Sequence, residues 1–322
     1  MELEQQRLRR PLITGAGGFI GSNLARRLAL MPQTEIVYCV DLPNSPGLKS
    51  LEEMPKVTCI FLDLNNDSAH HDLPDDVTSV FAMAALNGTS RFYTSPFSVF
   101  RGSLVPTINT LLKYSTIAPI VYSSSSEVYA STVTRFNAAI PTDELVVPSI
   151  QDIHNPRWSY ASAKLAGEVA VNSASVEFNA LTAIVRYHNV YGPNMGPGHF
   201  VSDFITRASN GIFEVIGAEE TRAFIHISDV IEGTIAAMLV ADGRAEVFHL
   251  GSNEEFSIET AAKLILTEMK MENSVLIRLP SRLGSVERRL ADSSKALRIL
   301  KWQAKVNFKE GIKDYLTNTL PY

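Results

Sequence analysis

The stretch Thr14-Gly15-Ala16-Gly17-Gly18-Phe19-Ile20-Gly21 decides the reading of the fold. It follows a short apolar run, Pro11 to Thr14, that reads as a strand. It opens Phe19 to Leu30, whose apolar spacing reads as a helix. Gly15, Gly18 and Gly21 let the backbone turn tightly and approach a pyrophosphate. The helix start, at Phe19 and Ile20, then offers free N–H groups and a positive dipole end. No Gly-Lys-Ser/Thr follows, so the loop is not a Walker A loop. Asp41 ends the next strand, 20 residues after Gly21. An acid there accepts hydrogen bonds from the adenosine ribose and repels a 2′-phosphate, so NAD is expected rather than NADP. Asp63 and Leu64 close a third strand and are expected near the adenine.

Outward from this loop, strands at Glu35 to Asp41, Val57 to Asp63, Val77 to Ala85, Pro119 to Ser123 and Leu181 to Arg186 alternate with helices at Pro96 to Lys113 and Ser159 to Phe178. Such alternation predicts βαβ units and an α/β, Rossmann-type doubly wound parallel sheet. Residues 1–191 are expected to form mainly the NAD-binding domain. Residues 192–322, with a Gly- and Pro-rich loop at Asn194 to Gly198 and helices at Phe200 to Asn210 and Val230 to Val240, are expected to form mainly a smaller substrate-binding cap. The two parts are expected to interleave.

Composition narrows the function classes. The chain has 322 residues, 45% apolar and 20% charged, with a formal charge of −5. No global positive field points to nucleic acid, and Arg7, Arg9 and Arg10 read as a solvated tail. No apolar run reaches membrane-spanning length, and MELEQQRLRR lacks the core of a signal peptide; a cytoplasmic location is expected. Cys39 and Cys59 sit in strand-like runs and read as buried thiols. His70 and His71 read as a solvated turn, and no spacing of His or Cys predicts a metal site.

Ser125, Tyr160 and Lys164 are the candidate chemistry. Tyr160 and Lys164 are four apart on a predicted helix and share a face. A free Tyr, with a pKa of about 10, is a poor base at neutral pH. A nearby ammonium and a positive nicotinamide ring would lower that value, so Tyr160 could take a proton from a sugar hydroxyl while hydride leaves to NAD. Ser125 would hydrogen-bond the same hydroxyl.

With these residues in place, the chain resembles the extended short-chain dehydrogenase/reductases of the nucleotide-sugar epimerase/dehydratase family. The likeness rests on TGAGGFIG, Ala82 to Ala85 (AMAA), Tyr122 to Ala130 (YSSSSEVYA), Tyr160 to Glu168 (YASAKLAGE), Arg186 to Pro193 (RYHNVYGP) and Thr221 to Val230 (TRAFIHISDV). The resemblance implies NAD reduced and reoxidised in each cycle, a nucleoside-diphosphate sugar substrate and a homodimer built through a four-helix bundle. It places Ala84 beside the cofactor and Ser125 and Ser126 beside the sugar. Asn189 would contact the nucleotide sugar, and Arg222 the diphosphate. Arg282 is the candidate for a second diphosphate contact, in competition with Arg288 and Arg289. His199 would sit at the nucleotide end of the cap, and His188 near the sugar. The chain departs from the family at Ala82-Met83, where His-Leu is usual, and at Pro106, expected near a helix start or at a kink.

The resemblance implies oxidation of carbon 4 as the shared first step, with 4-epimerisation as the overall reaction. Glu127 supports an alternative, a 4,6-dehydratase or decarboxylase, in which its carboxylate takes the carbon-5 proton. Ser126 stands where dehydratases carry an acid. A dinucleotide-binding sensor without catalysis is the remaining alternative, and such sensors often lack the Tyr-Lys pair retained here.

Overall fold

The computed structural model describes residues 6–281 and 285–319. Seven strands form one parallel sheet: β1 (Pro11–Thr14), β2 (Val37–Asp41), β3 (Val57–Phe61), β4 (Ser79–Ala82), β5 (Ile120–Ser125), β6 (Thr182–Tyr187) and β7 (Glu246–Leu250). Their order is β7-β6-β5-β4-β1-β2-β3. The chain winds outward from β1 to β3 and then crosses to β4. The crevice at the carboxyl ends of β1 and β4 is therefore the topological switch point, where doubly wound sheets bind ligands.

Helices cover both faces. The main helices are α1 (Phe19–Ala29), α2 (Pro96–Tyr114), α3 (Ser159–Phe178), α4 (Phe200–Ser209) and α5 (Ile227–Val240). One face packs Leu24, Leu28, Phe81 and Ile231 into a buried cluster, and the other packs Leu12, Tyr114, Tyr122 and Val171. Burial on both faces explains why β1 and β4 read as continuous apolar runs. Pro106 lies within α2 rather than at its start.

The cap holds short strands in two- and three-stranded sheets around a separate core of Tyr191, Phe204, Phe224, Phe308 and Ile312. The interleaving has a definite place: after the cap segment through His226, α5 and β7 return to the main sheet. Residues 227–250 thus belong to the sheet although they follow residue 191. Three smaller expectations are corrected. Arg7 donates to the carbonyls of Met238 and Leu239, and Arg9 and Arg10 pair with Glu35, so this is a docked segment and not a solvated tail. Cys59 is only half-buried, opposite the buried Cys39. His70 is anchored, its Nδ1 3.2 Å from Asn109 Oδ1. No helix among the described residues is long and apolar enough to cross a membrane.

Candidate active site

The glycine loop is built for close approach. Gly15 has φ +69°, and a Cβ there would lie 2.7 Å from the Ala84 backbone. A Cβ on Gly21 would meet the Gly15 carbonyl at 2.2 Å, so α1 packs on the loop only without a side chain. Phe19 and Ile20 form the first turn of α1, after Gly18 at the N-cap position. The Ala84 amide donates to Thr14 Oγ1, which ties the ends of β1 and β4 together. Asp41 accepts from the Gly17 amide at 2.7 Å and from the Leu42 amide at 2.7 Å, and burial raises its carboxyl above the ordinary range. A dinucleotide fits these residues: a cradle closed to any Cβ, a helix N-terminus, and a strand-end acid. Sequence reasoning missed Gly17, where a Cβ would lie 1.9 Å from Ser45 Oγ. Two expected adenine contacts look different in the structure. Asp63 accepts from both the backbone and side-chain nitrogens of Asn65, stabilising its own turn, and the Leu64 side chain is buried in the core.

β5 and α3 carry the proposed chemistry. Tyr160 is buried and hydrogen-bonded to Ser125, whose Oγ also accepts from the Glu127 amide at 3.2 Å. Phe92 stacks on the Tyr160 ring at 5.5 Å. Burial pushes the Tyr160 phenol well above its ordinary range, the charge of Glu127 adds to this, and Ser125 opposes it. Lys164 is fully buried and donates to the Ser123 carbonyl at 2.7 Å, 5.8 Å from the Tyr160 ring centre. Burial lowers its ammonium to about 7, with Glu168 opposing. Of the two cations expected to lower the Tyr160 value, the Lys164 ammonium is turned to β5, and burial moves both side chains toward their neutral forms.

Behind this pair lies a polar network that sequence reasoning did not single out. Glu168 bonds Ser124 and takes a two-pronged contact from Arg186 at 2.8 and 2.5 Å. Arg186 also donates to Tyr129 Oη, which pairs with His249 Nε2 at 2.9 Å. Tyr122 Oη donates to the Lys164 carbonyl and fills the space above Gly167, where a Cβ would lie 2.1 Å away. β5, β6 and α3 are thereby held in one register.

Glu127 sits between two arginines. Arg157 Nη1 lies 3.1 Å from Oε2, and Arg289 Nη1 lies 2.7 Å from Oε1. Burial alone would raise its carboxyl, but Arg289 and Arg157 outweigh it and hold the group down at about 2. A carboxylate this acidic is a weak proton acceptor, which counts against its expected role as the carbon-5 base. Arg157 was missed by sequence reasoning; its only signal is its place three residues before Tyr160. Arg288 is bonded to Glu255 on the surface, whereas Arg289 reaches the site, so of these two Arg289 is the one brought inward. Arg282 lies outside the described residues.

Beside this cluster opens a cavity of about 290 Å³, lined in part by Asn189, His199, Arg222 and Arg157. Asn189 adopts φ +43° and donates to the Ala223 carbonyl at 2.9 Å. Burial lowers His199, with Asp203 opposing. Ser126 and His188 instead line a small void next to Arg289. Among the described residues no group of three or more His, Cys, Asp or Glu could hold a metal.

The model of the NAD dependent epimerase/dehydratase family matches residues 11–251. The chain is 27% identical to the UDP-N-acetyl-alpha-D-glucosaminuronate decarboxylase of Bacillus cytotoxicus, covering 95% of this chain and 96% of the relative. It is 27% identical to UDP-glucuronic acid decarboxylase 1 of Xenopus tropicalis, over 96% of this chain and 72% of that one. The UDP-glucuronic acid 4-epimerase of Bacillus cereus, solved with NAD, superposes with a TM-score of 0.83 over 95% of this chain and 97% of its own. At 24% identity this last likeness is one of fold.

Proposed function

The chain belongs to the NAD-dependent epimerase/dehydratase family, and from that premise we propose that it oxidises carbon 4 of a nucleoside-diphosphate hexuronic acid and then releases the sugar's carboxylate as carbon dioxide. The observation that carries the reading is the Arg157–Glu127–Arg289 cluster next to Tyr160. Two cations around one anion leave a net positive cluster, suited to a substrate carboxylate. The curated relatives named above, both decarboxylases of UDP-linked uronic acids, support the same class.

The Gly15–Gly21 loop, the start of α1 and Asp41 would hold NAD, which when bound would supply the hydride acceptor for carbon 4 and the hydride for the final reduction. Tyr160 takes the proton of the 4-hydroxyl, and Ser125 orients that hydroxyl by hydrogen bonding. The resulting 4-keto acid has its carboxylate one carbon from the ketone. The carbon 5–carbon 6 bond then breaks, its electron pair moves toward the carbon-4 oxygen, and carbon dioxide leaves. Carbon 5 takes a proton from water, and Tyr160 returns its proton to oxygen 4 as the ketone is reduced. Asn189 and Arg222 hold the nucleotide end. Asp41 selects the cofactor's unphosphorylated ribose.

The acidity of Glu127 also favours a second reading, 4-epimerisation of the same substrate, which needs no protein base at carbon 5. Mass spectrometry of the products from UDP-glucuronic acid in deuterated water separates the two. Decarboxylation gives a pentose product, one carbon dioxide lighter, with deuterium at carbon 5. An isomer of unchanged mass without deuterium supports epimerisation. Turnover of neutral UDP-hexoses but not of uronates rules out the proposed substrate class. The assembly we propose is a homodimer through α2 and α3, which pack together and leave Phe97, Leu112, Val169 and Val176 exposed.

A further inference from the structure

The cavity proposed for the nucleotide end contains a carboxylate beside an arginine meant for phosphate. Glu220 lines it together with Arg222 and Ser285. Arg222 Nη2 lies 2.8 Å from Glu220 Oε2, and the same oxygen accepts from Ser285 Oγ at 2.6 Å. Both side chains of the ion pair are largely buried, at 11% and 13% exposure. The position of Glu220 is built into the fold. Its amide closes a turn onto the Gly217 carbonyl at 3.0 Å, and its carbonyl accepts from the Ile258 amide at 2.8 Å. Gly217 has φ +63°, and a Cβ there would lie 2.6 Å from Glu220 Oε1, so the turn leaves room for this carboxylate and for no side chain opposite it.

An anion fixed on the arginine that should receive another anion opposes binding. A diphosphate entering the cavity must take over Arg222, and Glu220 must then stay close to it or turn away. We propose that Glu220 is an internal counter-ion of the diphosphate site, holding Arg222 in the free enzyme and yielding it only to ligands that also engage the rest of the cavity. Inorganic phosphate, pyrophosphate and fragments lacking sugar or base meet the full repulsion without those compensating contacts. The carboxylate thus weakens the hold on bare pyrophosphate and on a bare nucleotide, so that only ligands with further contacts in the cavity bind appreciably. Arg289 lies near enough to Arg222 to disfavour its charge, so the counter-ion also relieves repulsion between the two arginines while the cavity is empty. The proposal rests on the nucleoside-diphosphate part of the function above and not on the reaction at the sugar.

The test is calorimetric titration of the NAD-loaded enzyme with inorganic pyrophosphate and, separately, with UDP. Glu220→Gln keeps the shape and an oxygen acceptor but removes the charge. It is expected to bind both ligands at least about tenfold more tightly at low salt, with the gain shrinking as potassium chloride is added. Glu220→Asp, which keeps the charge, is expected to show no such gain. Affinities in Glu220→Gln that equal or fall below those of the unaltered enzyme, at unchanged thermal midpoint, overturn the proposal. So does an equal gain in both variants, which would trace the effect to packing. Pyrophosphate carries no sugar, so the two readings fail separately. A tenfold gain without turnover of any nucleotide sugar sinks the reaction and leaves the counter-ion standing. Turnover with unchanged affinities does the reverse.

Discussion

Glu127→Gln is the substitution on which the reading of the site is most exposed. It removes the one anion between Arg157 and Arg289 and leaves two mostly buried cations without it. The Glu127 side chain is 20% exposed, Arg157 14% and Arg289 11%, so solvent screens the cluster only in part. A carboxyl held at about 2 against an ordinary 4.5 corresponds to about 3 kcal/mol of preference for the anion in the folded chain. Breaking a buried ion pair by removing one partner costs about 3–5 kcal/mol, which agrees. The sign follows from the depressed value. The stabilisation is complete above the unfolded pKa and is lost as pH falls from about 4.5 toward 2. Urea unfolding followed by circular dichroism should therefore place the variant about 3 kcal/mol below the unaltered protein at neutral pH. The gap should hold down to about pH 5 and narrow below it. A gap under about 1 kcal/mol at neutral pH, or one that does not narrow in acid, would refute the buried triad and with it the argument that Glu127 is too acidic to be a base.

Other expectations follow from the same geometry. Tyr160→Phe should lower kcat by at least about a hundredfold while NAD binding, followed by fluorescence, is retained; near-normal turnover removes Tyr160 from the chemistry. Burial lowers Lys164 to about 7 from 10.5, so protons favour the unfolded chain between those values. The stability of the NAD-free protein should rise with pH there by up to about 1.4 kcal/mol per pH unit from this group, and Lys164→Met should remove that slope in parallel urea titrations. Gly167→Ala forces a Cβ onto the Tyr122 hydroxyl and should cost about 1–3 kcal/mol; adding Tyr122→Phe should recover part of it, and no recovery would place the clash elsewhere. Asp41→Asn should tighten NADP binding at least about tenfold relative to NAD in competition titrations.

What was legible in the sequence was local. The glycine loop, Asp41 and the Tyr160–Lys164 pair each need only a strand end or a few helical residues to be in place, and periodicity supplies those. The strand ends shifted by two or three residues, as at β2 and β4, without moving the site. Arg157 and Arg289 were illegible for the opposite reason. Arg289 is 162 positions from Glu127, and nothing in its neighbourhood distinguishes it from Arg288, whose side chain leaves for the surface. Glu168 and Arg186 stood inside quoted motifs, but their contact depends on the register of α3 against β6. Glu220 belongs to no motif, and its carboxylate is set against Arg222 by the turn that begins at Gly217.

The free protein holds its proposed base in the protonated form. Every neighbour that raises the Tyr160 phenol is structural: a buried ring under Phe92 and a fixed, ionised Glu127. The single opposing contact, Ser125, is a neutral hydroxyl. Lys164 would help most, but burial weakens its charge and the Ser123 carbonyl holds it away. In the reading proposed above, activation would then come from a further cation, which the positive ring of bound oxidised NAD would supply. The consequence is economy of reactivity. In the proposed cycle Tyr160 would accept a proton only while an oxidised cofactor is bound to accept the hydride, and once the hydride has moved the added charge would be gone and the phenol would keep its proton. Burial that looks unfavourable for a base in the free chain would therefore couple proton transfer to hydride transfer, keeping the proton on Tyr160 for the 4-keto intermediate until the ketone takes back the hydride.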